Sequence, residues 1–326
     1  FTSDEDRFVL RSESAVNVPN YYQATLGKKI KAAEGEATRT LKRVPITHFE
    51  DPTPRLREIE KRIVRYERED GVPLSFQLHL PPGYKEGTPL PTVLYAYPLE
   101  YSDPHTAGQV RGSTQRFNRF YGASHMFFLL QGYAVLDRTA MPMIGDPETT
   151  YDTFVPQLVA DAEAAVAKAV EIGVADPKRI GVIGHSHGGL MVANLLAHTD
   201  LFRAGIARSG SYNKTNQPFG FQSERRSLFE ARDVYIRVSP TFFADQVNEP
   251  VLVIHGDADS NPGTLPIQSE VFFEAVRGSG GTARLVLLPF EDHGYRARES
   301  FEHVLWEQLR WFDEHVKGAS SGTPSN

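Results

Sequence analysis

The chain has 326 residues, of which 40% are hydrophobic and 23% charged, so it can bury one large hydrophobic core. Its formal net charge of −6 provides no basic field that would attract nucleic acid or an anionic membrane, and no apolar run could span a bilayer. The absence of cysteine excludes disulfides, thiolate metal sites and a cysteine nucleophile. We therefore expect a soluble protein with no nucleic-acid or membrane partner, whose compartment and oligomeric state the sequence does not determine.

The two ends of the chain differ in composition from its centre. In residues 1–26, apolar residues at 8–10 and the pair Tyr21 and Tyr22 flank a turn and predict two short strands, which need neighbours to be stable in water. Residues 27–47 carry Lys, Ala, Glu and Thr without an apolar stripe and predict a linker. Residues 318–326 are small and polar and predict a disordered tail. The main domain is therefore expected over residues 48–317.

Strand and helix patterns alternate along the main domain. A hairpin with its turn at Asp70 and Gly71 comes first. Predicted strands then cover 91–98, 133–139, 179–185, 203–210, 250–257 and 283–290, and predicted helices cover 157–173, 189–198, 266–278 and 299–316. Short connections between alternating strands and helices predict an α/β fold with a doubly wound, mostly parallel sheet.

The most specific motif is the hexapeptide GHSHGG at residues 184–189. It stands between a predicted strand and a predicted helix, the context that a nucleophile elbow requires. Glycines let the chain turn sharply there while the serine side chain is pushed into the open. We therefore predict that Ser186 is a nucleophile and that the backbone N–H of His187 is one donor of an oxyanion hole. His185 and His187 also form an HxH pair, but without a third ligand at suitable spacing we expect neither a metal nor a cofactor.

A serine nucleophile needs a histidine base, and the base needs a carboxylate that fixes its tautomer. His293 stands in a loop after a predicted strand and before the last helix, which makes it the expected base. His255 lies within a strand, and His303 and His315 lie on the last helix. Two acids, Asp257 and Asp259, follow a predicted strand with one residue between them, and chemistry alone does not choose between them.

Three segments carry a family resemblance: GHSHGG, HGDADSNPG and EDHGYRARES. They resemble the active-site segments of the prolyl oligopeptidase family, a group of serine peptidases with an α/β-hydrolase fold. Further runs, including GIARSGSYNKTNQPFGFQ and NPGTLPIQS, resemble the glutamyl endopeptidase branch. The resemblance implies that Asp259 is the catalytic acid. It also implies that residues 1–26 are the last strands of a β-propeller, the rest of which is absent from this chain.

The same resemblance implies two kinds of substrate contact. A tyrosine hydroxyl completes the oxyanion hole in this family, and Tyr97 matches it, although a core aromatic at a strand end is the alternative. Proline-specific relatives carry a large aromatic residue at the position of Lys214, and a cation there implies a peptide substrate with glutamate at P1. Arg208 and Arg226 are further candidates for that role, and Lys214 could instead be a solvated loop residue. Asn261 is expected to orient the substrate backbone.

Three other functions share part of this pattern. A carboxylesterase or lipase would have the same elbow and triad but no propeller-like start. An acylaminoacyl or dipeptidyl peptidase would have the propeller, with acidic or hydrophobic groups replacing the basic ones. A binding protein on a hydrolase scaffold would be expected to have lost a triad residue. A serine peptidase that cleaves after glutamate fits the sequence best.

Overall fold

The computed structural model describes residues 6–30, 38–110 and 112–318 of the chain. The chain divides into two compact units. The smaller comprises residues 1–58 together with 113–119, and the larger comprises 59–112 together with 120–326.

The smaller unit contains an antiparallel sheet in the order β1–β2–β3. Its strands are β1 (Arg7–Ser12), β2 (Asn20–Ile30) and β3 (Thr38–Pro45). The two predicted strands are confirmed, but the linker expected over 27–47 is wrong where β2 and β3 pair. Leu41 and Val44 of β3 are 41% and 49% exposed, so this strand has no buried face that an apolar alternation could reveal.

The unit boundary also differs from the expected start of the main domain. It falls between Glu58 and Ile59, not after residue 47. Within the smaller unit, the Arg57 guanidinium lies 3.4 Å from the centroid of the Phe117 ring and donates to the Asn118 carbonyl at 2.8 Å. These contacts explain why residues 113–119 belong to this unit. At the other end, residues 319–326 of the expected tail lie outside the described residues.

The larger unit is built on an eight-stranded sheet. Its order is β13–β12–β11–β10–β6–β8–β5–β4, and a separate parallel pair joins β7 to β9. The strands are β4 (Glu60–Glu67), β5 (Pro73–Leu80), β6 (Leu90–Ala96), β7 (Leu99–Tyr101), β8 (Ala134–Thr139), β9 (Pro142–Ile144), β10 (Ala175–His185), β11 (Ala204–Arg208), β12 (Val251–Gly256) and β13 (Ala283–Leu288). Strands β4 and β5 form the predicted hairpin, and β5 pairs antiparallel with β8. All remaining pairs in the eight-stranded sheet are parallel, which confirms the predicted doubly wound fold.

Six α-helices accompany these strands within the described residues. They are α1 (Pro104–Ala107), α2 (Phe154–Glu171), α3 (His187–His198), α4 (Arg232–Arg237), α5 (Ile267–Gly278) and α6 (Arg298–Phe312), the last followed by a π-helical turn at Asp313–Lys317. Helix α3 is buried from His187 through Ala197, as expected for a helix enclosed by the core. Among the helices described, none combines the length and the apolar character that crossing a bilayer requires.

The strand order changes direction between β6 and β10. Strands β11, β12 and β13 follow β10 toward one edge of the sheet, whereas β8 follows β6 toward the other. In open α/β sheets such a switch point leaves a crevice at the carboxyl ends of the strands, where ligands bind. Strand β10 ends at His185 and β6 ends at Ala96, so Ser186 and Tyr97 both lie at this crevice.

Candidate active site

Ser186 lies in a strained turn between β10 and α3. Its φ is 59° and its ψ is −121°, a backbone conformation that a residue with a side chain rarely adopts. The Ser186 N–H donates to the Arg208 carbonyl at 2.8 Å, and the Gly189 N–H donates to the Ser186 carbonyl at 2.8 Å. A Cβ at Gly184 would lie only 2.1 Å from the Gly188 carbonyl oxygen. The glycines are therefore required for the close approach of the two arms of the turn.

A continuous chain of hydrogen bonds joins Ser186, His293 and Asp259. His293 Nε2 lies 3.0 Å from Ser186 Oγ, and His293 Nδ1 lies 2.8 Å from Asp259 Oδ2. The Asp259 side chain is fully buried, whereas the His293 side chain is 26% exposed. This is the arrangement of nucleophile, base and orienting carboxylate that activates a serine.

The loops that carry Asp259 and His293 are tied together by Asp292. Its carboxylate accepts the backbone N–H of Ser260 at 2.9 Å and that of His293 at 2.8 Å. These two hydrogen bonds, that from Ser260 first, lower the pKa of Asp292. The position of the base is thus fixed by backbone contacts in addition to the triad hydrogen bond.

The neighbouring acid, Asp257, has a different set of contacts. It accepts the Phe290 N–H at 2.5 Å and donates its own N–H to the Leu288 carbonyl at 3.0 Å. Phe290 has a φ of 62° and is 93% exposed, so this carboxylate supports a strained turn ahead of His293. Of the two acids that spacing leaves open, the structure brings only Asp259 to the imidazole.

The two expected oxyanion donors lie at the same end of the crevice. His187 is the first residue of α3, so its backbone N–H has no acceptor within the helix. A Cβ at Gly188 would lie 2.8 Å from the Ala96 carbonyl oxygen, so the start of α3 directly abuts the end of β6. Tyr97, the next residue after Ala96, is 40% exposed, and its ring centroid lies 5.8 Å from that of His187.

Lys214 is buried, with 2% of its surface exposed, and is therefore not a solvated loop residue. Its ammonium donates to Ser211 Oγ at 3.1 Å and lies 4.9 Å from the centroid of the Phe221 ring. Burial lowers the pKa of Lys214 to about 7, although the nearby charge of Glu100 acts in the opposite direction. Near neutral pH, the surroundings of Lys214 therefore decide whether its amino group is protonated or neutral.

The other three residues that were predicted to contact the substrate form hydrogen bonds or ion pairs within the protein. Arg208 donates to the Ala123 carbonyl at 2.8 Å and to Gln308 Oε1 at 3.3 Å. Arg226 forms ion pairs with Asp152 at 2.8 Å and with Glu224 at 2.6 Å. The Asn261 side chain accepts the Gly263 N–H at 3.1 Å, and the Asn261 backbone N–H donates to Asp259 Oδ1 at 3.0 Å.

The two histidines of the elbow do not face a common ligand site. The ring centroid of His185 lies 5.0 Å from that of His293, and burial, followed by the charge of Arg208, lowers the pKa of His185 to about 3. The His187 ring instead packs 5.5 Å from that of Phe154 and near Tyr97, and burial holds its pKa well below the usual value. Within the described parts of the chain, no cluster of acidic residues and histidines is suited to hold a metal ion.

One residue at this site, His255, has no role predicted from the sequence. Its position inside β12 argues against a role as the base, yet its Nε2 lies 3.0 Å from Asp259 Oδ2. The available signal in the sequence is the spacing of four residues between His255 and Asp259. Strand β12 ends at residue 256, and a tight turn after it can bring Asp259 back beside His255.

An α/β-hydrolase fold with a Ser-His-Asp arrangement defines the class of this protein. The model of the prolyl oligopeptidase family matches residues 156–319, and the chain belongs to this family. It is 48% identical over 289 residues to the probable chloroplastic glutamyl endopeptidase of Oryza sativa subsp. japonica, covering 87% of this chain and 31% of that protein. It is 50% identical over 275 residues to the protein of the same name from Arabidopsis thaliana, covering 83% of this chain and 28% of that protein. The chain thus spans about a third of the length of these curated relatives.

Solved structures share the fold at lower identity. An acylaminoacyl peptidase in complex with Z-Gly-Gly-Phe-chloromethyl ketone matches with a TM-score of 0.67 and 19% identity, over 99% of this chain and 49% of that chain. Dipeptidyl peptidase 4 of Porphyromonas gingivalis matches with a TM-score of 0.69 and 17% identity, over 97% of this chain and 43% of that chain.

We predict that Gly184→Ala destabilises the full-length protein by about 1–3 kcal/mol, because the added Cβ forces two backbone segments apart. It should also abolish labelling of Ser186 by a fluorophosphonate, since the serine loses its strained position. The matched control is Gly278→Ala, where an added Cβ meets no atom within 4 Å. Thermal unfolding and labelling measure the two effects, and labelling equal to that of wild type would contradict the role of the elbow.

Proposed function

We propose that this chain is the catalytic part of a serine peptidase that cleaves peptide bonds after glutamate. The observation that carries the proposal is the hydrogen-bonded chain from Ser186 Oγ through His293 to the buried Asp259, with distances of 3.0 Å and 2.8 Å. The resemblance to propeller-containing peptidases further supports the proposal that an N-terminal propeller belongs to the same protein. The experiments below therefore use the full-length protein.

Each triad residue has a distinct step in the proposed reaction. His293 Nε2 takes the proton of Ser186 as Oγ bonds to the carbonyl carbon of the substrate. The same nitrogen then gives the proton to the leaving amine as the peptide bond breaks, and a water molecule hydrolyses the acyl-enzyme by the reverse sequence. Asp259 accepts a hydrogen bond from the Nδ1–H of His293 and stabilises the imidazolium that forms.

The negative charge that develops on the carbonyl oxygen needs donors in place before the reaction. We assign these donors to the His187 backbone N–H and the Tyr97 hydroxyl, because His187 begins α3 and Tyr97 follows β6 where these two elements meet. Both act only on the tetrahedral oxyanion, so they are expected to affect kcat more than KM.

The glutamate preference is supported by Lys214 and by relatives named glutamyl endopeptidases. Lys214 is buried, and among the described residues no carboxylate lies within ion-pair distance of its ammonium. A glutamate side chain at P1 would supply that carboxylate, whereas glutamine would leave the ammonium unpaired. Arg208 and Arg226 are less suited to this role because their guanidinium groups already have acceptors within the protein.

The first test is Ser186→Ala, which should lower kcat by a factor on the order of 10⁶ because the nucleophile is lost. Peptide hydrolysis by the full-length protein and fluorophosphonate labelling measure the effect, with thermal unfolding as the control for folding. Labelling at another serine, or substantial turnover by the purified variant, would refute the assignment.

The two acids form a matched pair of variants. Asp259→Asn should lower kcat by about 10⁴, because an amide cannot hold His293 in the required tautomer. Asp257→Asn should have little effect, since its amide oxygen can still accept the Phe290 N–H. Steady-state kinetics on one peptide compares them, and the reverse order of effects would exchange the roles of the two acids.

The specificity should depend on pH through Lys214. Burial lowers its pKa to about 7, so the ammonium is charged below that pH and is increasingly neutral above it. The ratio of kcat/KM for matched peptides with Glu and Gln at P1 should therefore be at least about 10 at pH 6 and should fall toward 1 by pH 9. The ratio cancels the pH dependence of the triad, which both peptides share.

Lys214→Met is the control for this measurement. It removes the cation but keeps a flexible side chain of similar length, so the Glu/Gln ratio should be low and independent of pH. A ratio that stays high in the variant, or a wild-type preference for Pro or Leu, would refute the assignment of P1 specificity to Lys214.

A further inference from the structure

A second histidine, His255, contacts the carboxylate of Asp259. His255 lies on β12, and its side chain is fully buried. Its Nε2 lies 3.0 Å from Asp259 Oδ2 and 2.6 Å from the Thr264 carbonyl oxygen, and its Nδ1 lies 2.6 Å from Ser269 Oγ. Both ring nitrogens therefore have partners, and one of these partners is the triad acid.

The contacts of His255 determine its tautomer. Nε2 faces a carboxylate oxygen and a carbonyl oxygen, neither of which can donate, so Nε2 must carry a proton. Nδ1 faces the Ser269 hydroxyl, which can donate to it. Burial lowers the pKa of His255, which favours the neutral ring with its single proton on Nε2. In this state the Nε2–H of His255 is shared between Asp259 Oδ2 at 3.0 Å and the Thr264 carbonyl oxygen at 2.6 Å.

We propose that His255 is a positioning residue that holds the Asp259 carboxylate in the orientation that His293 requires. This inference rests on the proposed serine-peptidase function. Asp259 Oδ2 accepts N–H groups from His255 and His293, while its Oδ1 accepts the backbone N–H of Asn261 at 3.0 Å. These three N–H donors restrain both oxygens of the carboxylate.

The Thr264 hydroxyl shows why such a restraint matters. It lies 3.0 Å from His293 Nδ1 and 3.3 Å from Asp259 Oδ2, so it is an alternative partner for both groups. Without the His255 donor, the carboxylate can rotate toward this hydroxyl and leave Nδ1 with a neutral acceptor. The imidazolium formed during the reaction would then be less stabilised. Because His255 does not reach the substrate, the loss should fall on kcat and leave KM unchanged.

Two substitutions separate positioning from simple packing. The amide nitrogen of glutamine is as many bonds from Cβ as His Nε2 and can replace the donor to Asp259, whereas that of asparagine matches only Nδ1. His255→Asn should therefore lower kcat about 10²-fold without changing KM, less than the about 10⁴ expected when the acid itself is lost. His255→Gln should restore kcat to within about tenfold of wild type. Ser269→Ala, which leaves the Nε2 contact intact, should also stay within about tenfold.

The kinetic constants are measured in the full-length protein per active site, after titration with a fluorophosphonate. Equal losses in the Asn and Gln variants, or a loss that appears in KM, would overturn the inference. A wild-type protein that neither turns over nor labels at Ser186 would instead refute the proposed function and remove the basis of the inference.

A measurement on the unaltered protein covers the case in which His255→Asn does not fold. Long-range ¹H–¹⁵N correlation spectra of histidine-labelled protein report the tautomer of each ring directly. We expect His255 as the neutral Nε2–H form at pH 7, with its proton shifted downfield by the carboxylate. An Nδ1–H tautomer, which cannot donate to Asp259, would overturn the inference.

Discussion

The geometry of the candidate active site depends on one buried charge, the carboxylate of Asp259. A carboxylate removed from water is costly unless several donors compensate for it. Here the donors come from β12, from the turn after it and from the loop after β13, in the form of His255, Asn261 and His293. Satisfying this charge therefore brings three separate segments together. The position of the base relative to Ser186 follows from the same contacts.

The second constraint is the close approach of backbone at the switch point of the sheet. Gly188 lets the start of α3 lie against the Ala96 carbonyl, and Gly184 lets the two arms of the elbow meet. Because β6 and β10 are neighbouring parallel strands, Tyr97 and Ser186 emerge side by side at their carboxyl ends. The strain at Ser186 is maintained by a buried helix and a buried strand that leave it no room to relax.

Local patterns predicted most of the larger unit because its strands and helices are buried and carry strong periodicity. The elbow, the base and the alternation of elements follow directly from them. Spacing could not choose between Asp257 and Asp259, because the choice depends on how the turn after β12 folds back. Strand β3 was not predicted, because its exposed apolar residues give no alternation of buried and exposed positions. The ion pairs of Arg226 and the hydrogen bonds of Arg208 arise from residues far away in the chain, which no local pattern reveals.

If the proposed function is right, the buried Lys214 would link substrate choice to protonation. A buried ammonium without a carboxylate partner is unfavourable, and the lowered pKa of Lys214 expresses this cost as a readily lost proton. A glutamate carboxylate in the pocket would reverse the balance and favour the charged form. Near neutral pH, binding of such a substrate would therefore take up a proton, and by linkage the affinity for glutamate would rise as the pH falls. Discrimination against glutamine would then arise mainly from the cost of leaving the ammonium buried and unpaired.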